Sequence, residues 1–323
     1  MILITGGAGY IGSHTNKELF RKGYKTLVFD NLINGHREFV KWGEFVLGDL
    51  ANYEQLKLCF EKNPIFAVLH LGGFAYVGES VHNPEKYYTN NLACTLNLLN
   101  IMKDNNVKYI VFSSSCTTYG IPKIIPITEN QSRKPINPYG KSKLMVEMIL
   151  EDYKKAYGIE YVILRHFNAA GSDHQREIGE NHNPETHLIP LVLETALGKR
   201  DHIEIYGNSY NTYDGTCIRD YVHVSDIAEA HILALDYLIK KNKSDVFNLG
   251  YGKGYSVKEV IKMAENVTKR KIKCAYGKKR AGDPPILVSN YQKAESKLKW
   301  SPKHSGLEEI IRTAWEWQQI KNS

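Results

Sequence analysis

Met1-Ile2-Leu3-Ile4-Thr5-Gly6-Gly7-Ala8-Gly9-Tyr10-Ile11-Gly12 opens the chain, and this stretch decides its fold. A short apolar run reads as a buried strand, and it enters a glycine loop directly. An amphipathic pattern starts at Tyr10 and reads as a helix to Arg21. Counted from Gly7 the loop fits GxGxxG, and from Gly6 it fits GxxGxxG. Glycines at such spacing permit a tight turn, close approach of backbone to a pyrophosphate, and close packing of helix on strand. The helix start adds amide donors and positive potential for phosphate. Gly6, Gly9, Tyr10, Ile11 and Gly12 are therefore candidate dinucleotide ligands.

Working outward, further apolar runs alternate with helical patterns. Strands are expected at 1–5, 25–30, 45–48, 66–70, 109–114 and 161–166, with helices at 10–21, 53–61, 84–103 and 139–157. That alternation predicts an α/β protein with a Rossmann-type, doubly wound parallel sheet, whose ligands sit at the carboxyl ends of the strands. After Asn168 the rhythm breaks. Residues 171–183 are polar and irregular, and helices are expected at 187–197, 224–239, 257–267 and 307–317, with strands at 203–206 and 246–249. The division expected is a nucleotide domain over 1–168 and a smaller α/β substrate domain over 169–323, with 222–249 able to fold back onto the first.

Composition sets outer bounds. With 42% hydrophobic and 24% charged residues, the 323-residue chain reads as globular. No apolar run approaches a membrane span, and Met1–Thr5 is not a leader, so a cytoplasmic protein is expected. Five scattered cysteines without CxxC spacing support neither a disulfide framework nor a metal site. The net charge of +7 resides in basic runs without interleaved aromatics, which read as solvated faces rather than a nucleic-acid surface.

Two strand ends carry further chemistry. Asp30, in Phe29-Asp30-Asn31, ends the second strand, where a carboxylate binds both ribose hydroxyls and repels a 2′-phosphate; NAD is thereby preferred over NADP. Asp49 and Leu50 follow the third strand and are candidates for the adenine end. Ser113-Ser114-Ser115-Cys116-Thr117-Thr118 leaves the fifth strand as a run of hydroxyls able to share protons or hold a substrate alcohol. Pro138-Tyr139-Gly140-Lys141-Ser142-Lys143 then sets a phenol and an ammonium at i and i+4, on one helix face. An ammonium there favours the phenolate, as would a cationic nicotinamide, which makes a base for an alcohol. By itself YxxxK reads as an ordinary surface pair.

Taken together, ITGGAGYIGSH, FDNL, VGES (77–80), YYTNN (87–91), SSSCTTYG, NPYGKSK, LRHFNAAG, ETHLIP, DGTCIRDYVHV and RAGDPP resemble the extended short-chain dehydrogenase/reductases over nearly the whole chain. Several of these stretches are similar to those of the nucleotide-sugar members. The resemblance implies Tyr139 as acid/base, Lys143 as its partner and ribose ligand, and Ser115 as the substrate-side hydroxyl. It implies a cofactor contact at Asn90, uridine contacts at Asn168, Leu188 and Tyr206, and a UDP clamp of Arg219, Arg280 and Asp283. The activity implied is NAD-dependent epimerisation at carbon 4 of a UDP-sugar, foremost UDP-glucose/UDP-galactose, in a homodimer joined through helices 84–103 and 139–157. Alternatives are a UDP-N-acetylglucosamine or UDP-xylose/arabinose substrate, or another NAD-dependent nucleotide-sugar oxidoreductase. Related dehydratases resemble the chain but carry an acid just after the central Ser/Thr, where Cys116-Thr117-Thr118 has none. Ala75, His166, His187 and Leu287 stand where the family pattern usually differs.

Overall fold

A computed structural model of the protein describes residues 1–280 and 283–321, so Ala281 and Gly282 of the RAGDPP stretch lie outside the described residues. The chain starts with β1 (Ile2–Thr5), α1 (Tyr10–Arg21), β2 (Thr26–Asp30), β3 (Glu44–Leu47), α2 (Tyr53–Lys62) and β4 (Ala67–His70). Next come α3 (Val77–His82), α4 (Pro84–Tyr87), α5 (Cys94–Asp104), β5 (Tyr109–Ser115), α6 (Pro138–Tyr157) and β6 (Glu160–His166). β1 and β2 are buried along their whole length, which explains their unbroken apolar runs.

The large sheet has seven parallel strands. β10 (Asp245–Leu249) pairs with β6 at one edge, β3 lies at the other, and the order runs β10-β6-β5-β4-β1-β2-β3. The order reverses beside β1, so α1 and the loop after β4 flank a crevice at the strand ends. α8 (Val224–Lys241) packs against α1 and the sheet, burying Ile227, Leu235 and Leu238 in one of its two cores. α2, α5 and α6 supply the core on the opposite face, with Leu56, Leu98, Leu99, Val146 and Leu150.

The smaller lobe surrounds β9 (Ile218–His223), which pairs with β7 (Asn168–Ala170), β11 (Gly254–Ser256) and β13 (Ile286–Leu287). β8 (Ile203–Tyr206) and β12 (Cys274–Gly277) form a separate parallel pair. α7 (Leu188–Ala196), α9 (Val257–Thr268) and α11 (Leu307–Lys321) close its core, while α10 (Gln292–Leu298) packs on β10. A capping box of Ser256 and Glu259 starts α9.

The helix expected at 84–103 is interrupted. Residues Tyr88–Ala93 adopt a π-turn between α4 and α5. The wider turn separates the two asparagines in role: Asn90 reaches the crevice, whereas buried Asn91 bonds Phe74 through its backbone N–H and C=O (2.8 and 3.0 Å). No described helix is long and apolar enough to cross a membrane.

Candidate active site

The crevice is a cleft of about 340 Å³ running from the β2 and β3 ends, past the glycine loop, to α6. Its shape depends on two glycines. A Cβ on Gly12 would lie 2.1 Å from the Gly6 carbonyl, and one on Gly6, at φ +72°, would lie 2.5 Å from the Gly72 nitrogen. No side chain caps α1, so the helix start presents its amides and positive potential to the cleft. Asp30 is 8% exposed; its two oxygens accept the Leu32 and Ala8 amides at 2.9 and 3.0 Å. Burial raises its pKa and the amide bonds pull it back. Asp49 accepts from Asn31 at 3.0 Å, joining the β2 and β3 ends. These features fit a dinucleotide: a backbone cradle for the diphosphate and a carboxylate at the ribose position.

At the other end, β5 delivers Ser115, whose hydroxyl accepts from the Thr117 amide and hydroxyl at 3.2 and 3.0 Å. Asn137 caps α6 through the Gly140 amide (2.8 Å) with Pro138 in the first turn, a start that points Tyr139 and Lys143 inward. Tyr139 and Lys143 are 5% and 6% exposed. The Lys143 ammonium donates to the Ser113 carbonyl at 2.8 Å and lies 6.0 Å from the Tyr139 ring centre. The spacing led us to expect a phenol tuned toward phenolate by that lysine. In the free protein burial dominates instead: it pushes the phenol up to about 12, against the Ser115 hydrogen bond that favours phenolate. Burial also lowers Lys143 to about 8, opposed by the attraction of Glu147.

Every expected cofactor residue lines this one cleft: Gly6, Gly9, Tyr10, Ile11, Gly12, Asp30, Asn31, Asp49, Leu50, Asn90, Tyr139 and Lys143. Ser115 and Asn168 line it too, and Asn168 donates to the Asp220 carbonyl at 2.8 Å. The remaining substrate candidates lie in the smaller lobe, off the cleft wall. Arg219 on β9 pairs with Asp283, and the Arg280 guanidinium stacks 4.0 Å over the ring of Tyr206 on β8. Leu188 is the first residue of α7 and packs on the lobe core. Cys116 connects the two groups, since it lines the cleft and feels the charge of Arg219.

The positions that depart from the family pattern also fall here. His166 lines the cleft beside Asn168, and burial lowers its pKa to about 3, so the ring is neutral. Leu287 is buried with Cys116, Tyr119, Ile127 and Phe167. Tyr76 keeps its hydroxyl buried without a protein partner, while neighbouring Ala75 is exposed on the rim.

Two elements of the site escaped the sequence reading. Glu147 is fully buried one turn beyond Lys143. It takes two bonds from Arg165 (2.9 and 2.6 Å), one from Arg133 (3.1 Å) and one from the Ser114 hydroxyl (2.6 Å). Its signal was periodicity, because Tyr139, Lys143 and Glu147 share one helix face. The second is a cluster of Glu180, His182, Glu185 and His187, of which all but Glu185 line the cleft. His187 Nδ1 lies 2.9 Å from both carboxylates, and His182 Nδ1 lies 3.1 Å from Glu180. Burial opposes charge on these rings, but the carboxylates outweigh it and raise His182 to about 9 and His187 to about 10. The cluster is an ion-pair network.

A parallel sheet with a glycine loop, a buried carboxylate at the end of β2 and a buried Tyr-Lys-Ser set fit a dinucleotide-dependent enzyme acting on an alcohol. Residues 2–250 match the model of the NAD dependent epimerase/dehydratase family, and the chain belongs to that family. It is 46% identical over 321 residues to a UDP-glucose 4-epimerase of Rhizobium leguminosarum bv. trifolii, covering 99% of this chain and 98% of that one. The structure of UDP-glucose 4-epimerase from Brucella ovis in complex with NAD superposes with a TM-score of 0.94 at 47% identity, covering 98% and 97% of the two chains. The Bifidobacterium longum enzyme, in complex with NAD+ and UDP, gives a TM-score of 0.94 at 38% identity, covering 99% and 98%.

Proposed function

We propose that the protein interconverts UDP-glucose and UDP-galactose by inverting carbon 4. NAD-dependent epimerisation of a UDP-sugar is the activity of the chain, an isomerase. The observation that carries the particular chemistry is the single cleft joining the nucleotide cradle to Tyr139, Lys143 and Ser115. NAD bound along Gly6–Gly12, Asp30, Asn31, Asp49, Leu50 and Asn90 supplies a reversible hydride acceptor. Tyr139 takes the proton of the sugar 4-hydroxyl and returns it after the 4-keto sugar has presented its other face. Ser115 orients that hydroxyl and shares the proton. Lys143 lends positive charge to the phenolate and holds ribose. Asn168, Leu188 and Tyr206 hold the uridine, and Arg219 and Arg280, with Asp283, clamp the UDP phosphates and ribose. That grip retains the ketone while it turns, with binding energy drawn from a part of the substrate that does not react.

The division of labour proposed is a nucleotide domain over 1–168, with the 222–249 segment added to its sheet, and a UDP-sugar domain over most of 169–323. Two copies pair through the α5 and α6 faces. Leu99 is turned to the chain's own core, whereas Met145 and Met148 are 38% and 53% exposed on α6 and available for such a contact.

The test is turnover of UDP-galactose by the purified chain without added NAD, followed as UDP-glucose. Tyr139→Phe is expected to lose about 10²–10⁴ in rate while retaining bound NAD. Full activity of Tyr139→Phe would exclude the mechanism. A wild-type rate on UDP-xylose or UDP-N-acetylglucosamine above that on UDP-galactose would exclude the substrate.

A further inference from the structure

Away from the cleft, three side chains from two distant parts of the chain converge where the loop after β7 meets the start of α11. His174 Nε2 and His304 Nδ1 each lie 2.9 Å from the same Oε1 of Glu309. One candidate donor atom from each lies within 4.8 Å of the others. We propose that His174, His304 and Glu309 form a binding site for a first-row divalent cation such as zinc, a clamp between the β7 loop and α11.

The geometry suits an ion. Donors set tetrahedrally about 2.1 Å from a cation stand about 3.4 Å apart, so the 2.9 Å separations between each ring nitrogen and the carboxylate oxygen need to open by only about half an ångström to admit an ion. Two imidazoles and one carboxylate favour zinc, nickel or cobalt over magnesium, which prefers oxygen. Glu309 Oε2 has no protein partner among the described residues. The side chains of His174, His304 and Glu309 are 31%, 41% and 32% exposed, so water can complete the coordination.

The donors are also held in place. The His304 amide bonds buried Asp226 at 2.9 Å, and the neighbouring Lys303 amide and Ser305 hydroxyl bond the same carboxylate at 3.0 and 2.6 Å. On the other side, Asp173, next to His174, is fixed by Lys17 at 2.7 Å. The His174 ring stacks 5.1 Å from buried His223, itself held by the Ser225 amide and Thr313 hydroxyl at 3.1 Å each. Such outer support is what keeps metal ligands oriented. The cleft-wall group of two histidines and two glutamates is a poorer candidate. Glu185 Oε1 there already accepts from the Thr186 and His187 amides at 2.8 and 2.9 Å as well as meeting the His187 ring.

The experiment uses untagged protein, stripped with chelator and dialysed, then titrated with zinc against a chromophoric chelator. One zinc per chain is expected at micromolar or tighter affinity, with a rise in Tm that free magnesium does not produce. His304→Gln and His174→Asn should each weaken zinc binding about 10–100-fold and abolish the Tm rise. Glu185→Gln should leave both intact. Absence of zinc binding in the wild-type chain overturns the proposal. So does zinc binding that His304→Gln and His174→Asn leave unweakened, and a loss in Glu185→Gln would then place it on the cleft wall.

Discussion

Glu147→Gln tests the least visible part of the site. The carboxylate is fully buried and faces Arg165, which is 2% exposed, through two bonds of 2.9 and 2.6 Å. Burial works against charge on Arg165, but the hydrogen bonds and charge of Glu147 outweigh it and hold the guanidinium ionised. The substitution preserves shape but removes the counter-charge, leaving that cation buried with neutral acceptors alone: one amide oxygen at position 147, the Tyr119 hydroxyl (2.9 Å) and the Glu129 carbonyl (3.4 Å). Breaking a buried pair from one side costs about 3–5 kcal/mol. An exposed pair would cost about 0–1 kcal/mol, so the two readings are well separated. Against a total stability of about 5–15 kcal/mol, the loss is a large share. Urea unfolding of wild type and variant measures it directly. A loss below about 1 kcal/mol would refute the burial argument.

In the proposed mechanism the same substitution acts on turnover through Lys143. Glu147 is the group whose attraction opposes the burial that lowers Lys143 to about 8. At pH 7 an ammonium at about 8 is charged in roughly nine molecules of ten. Without Glu147 its pKa falls further, and the charged fraction falls with it. The basic limb of the kcat/KM profile is therefore expected at lower pH in Glu147→Gln than in wild type. A destabilised variant with an unmoved limb would confine Glu147 to a structural role.

Two further outcomes follow from the surface and the cleft wall. His182 and His187 are raised to about 9 and 10 by Glu180 and Glu185, so their contribution is complete below the unfolded value of about 6.5 and is lost as pH rises through 9–10. Tm of the wild type should fall over that window more than that of His187→Gln, and parallel curves would dismiss the network; the 42% exposure of His187 keeps the difference modest. Met148→Glu, a charge placed on the exposed α6 face, should convert a dimer to a monomer by light scattering, and a wild-type chain monomeric at all concentrations would rule out pairing there.

The large sheet was legible because its inner strands are buried on both faces and carry short apolar runs. β1, β2 and β4 to β6 begin or end within a residue or so of the runs that announce them. β9 was not legible: Ile218-Arg219-Asp220-Tyr221-Val222-His223 sets a charged pair inside an apolar run without alternation, and its partners β7, β11 and β13 come from distant segments. Asp220 is wholly buried there because the Tyr251, Gly252 and Ser289 amides bond it, at 2.7, 3.0 and 3.0 Å. Partners of that kind are tertiary and leave no local pattern. The π-turn at Tyr88–Ala93 was hidden for a related reason, since a single extra residue in a turn does not disturb the helical periodicity around it.

Within the site, motif residues with backbone roles were readable, while residues acting through other side chains were not. Gly6 and Gly12 declare themselves because only glycine fits so close to a carbonyl or an amide. Glu147 reads as a solvated partner for a neighbouring lysine until the inward face of α6 is fixed by Tyr139 and Lys143. Once it is fixed, a carboxylate at the next turn must be buried, and a buried carboxylate needs a cation. Lys143 donates to the Ser113 carbonyl, and the cation that bonds the carboxylate is Arg165 of β6, the strand beneath. The ammonium, the carboxylate and the guanidinium thus form one chain of mutual requirement, in which the charge on Lys143 is supported by a carboxylate that Arg165 keeps ionised.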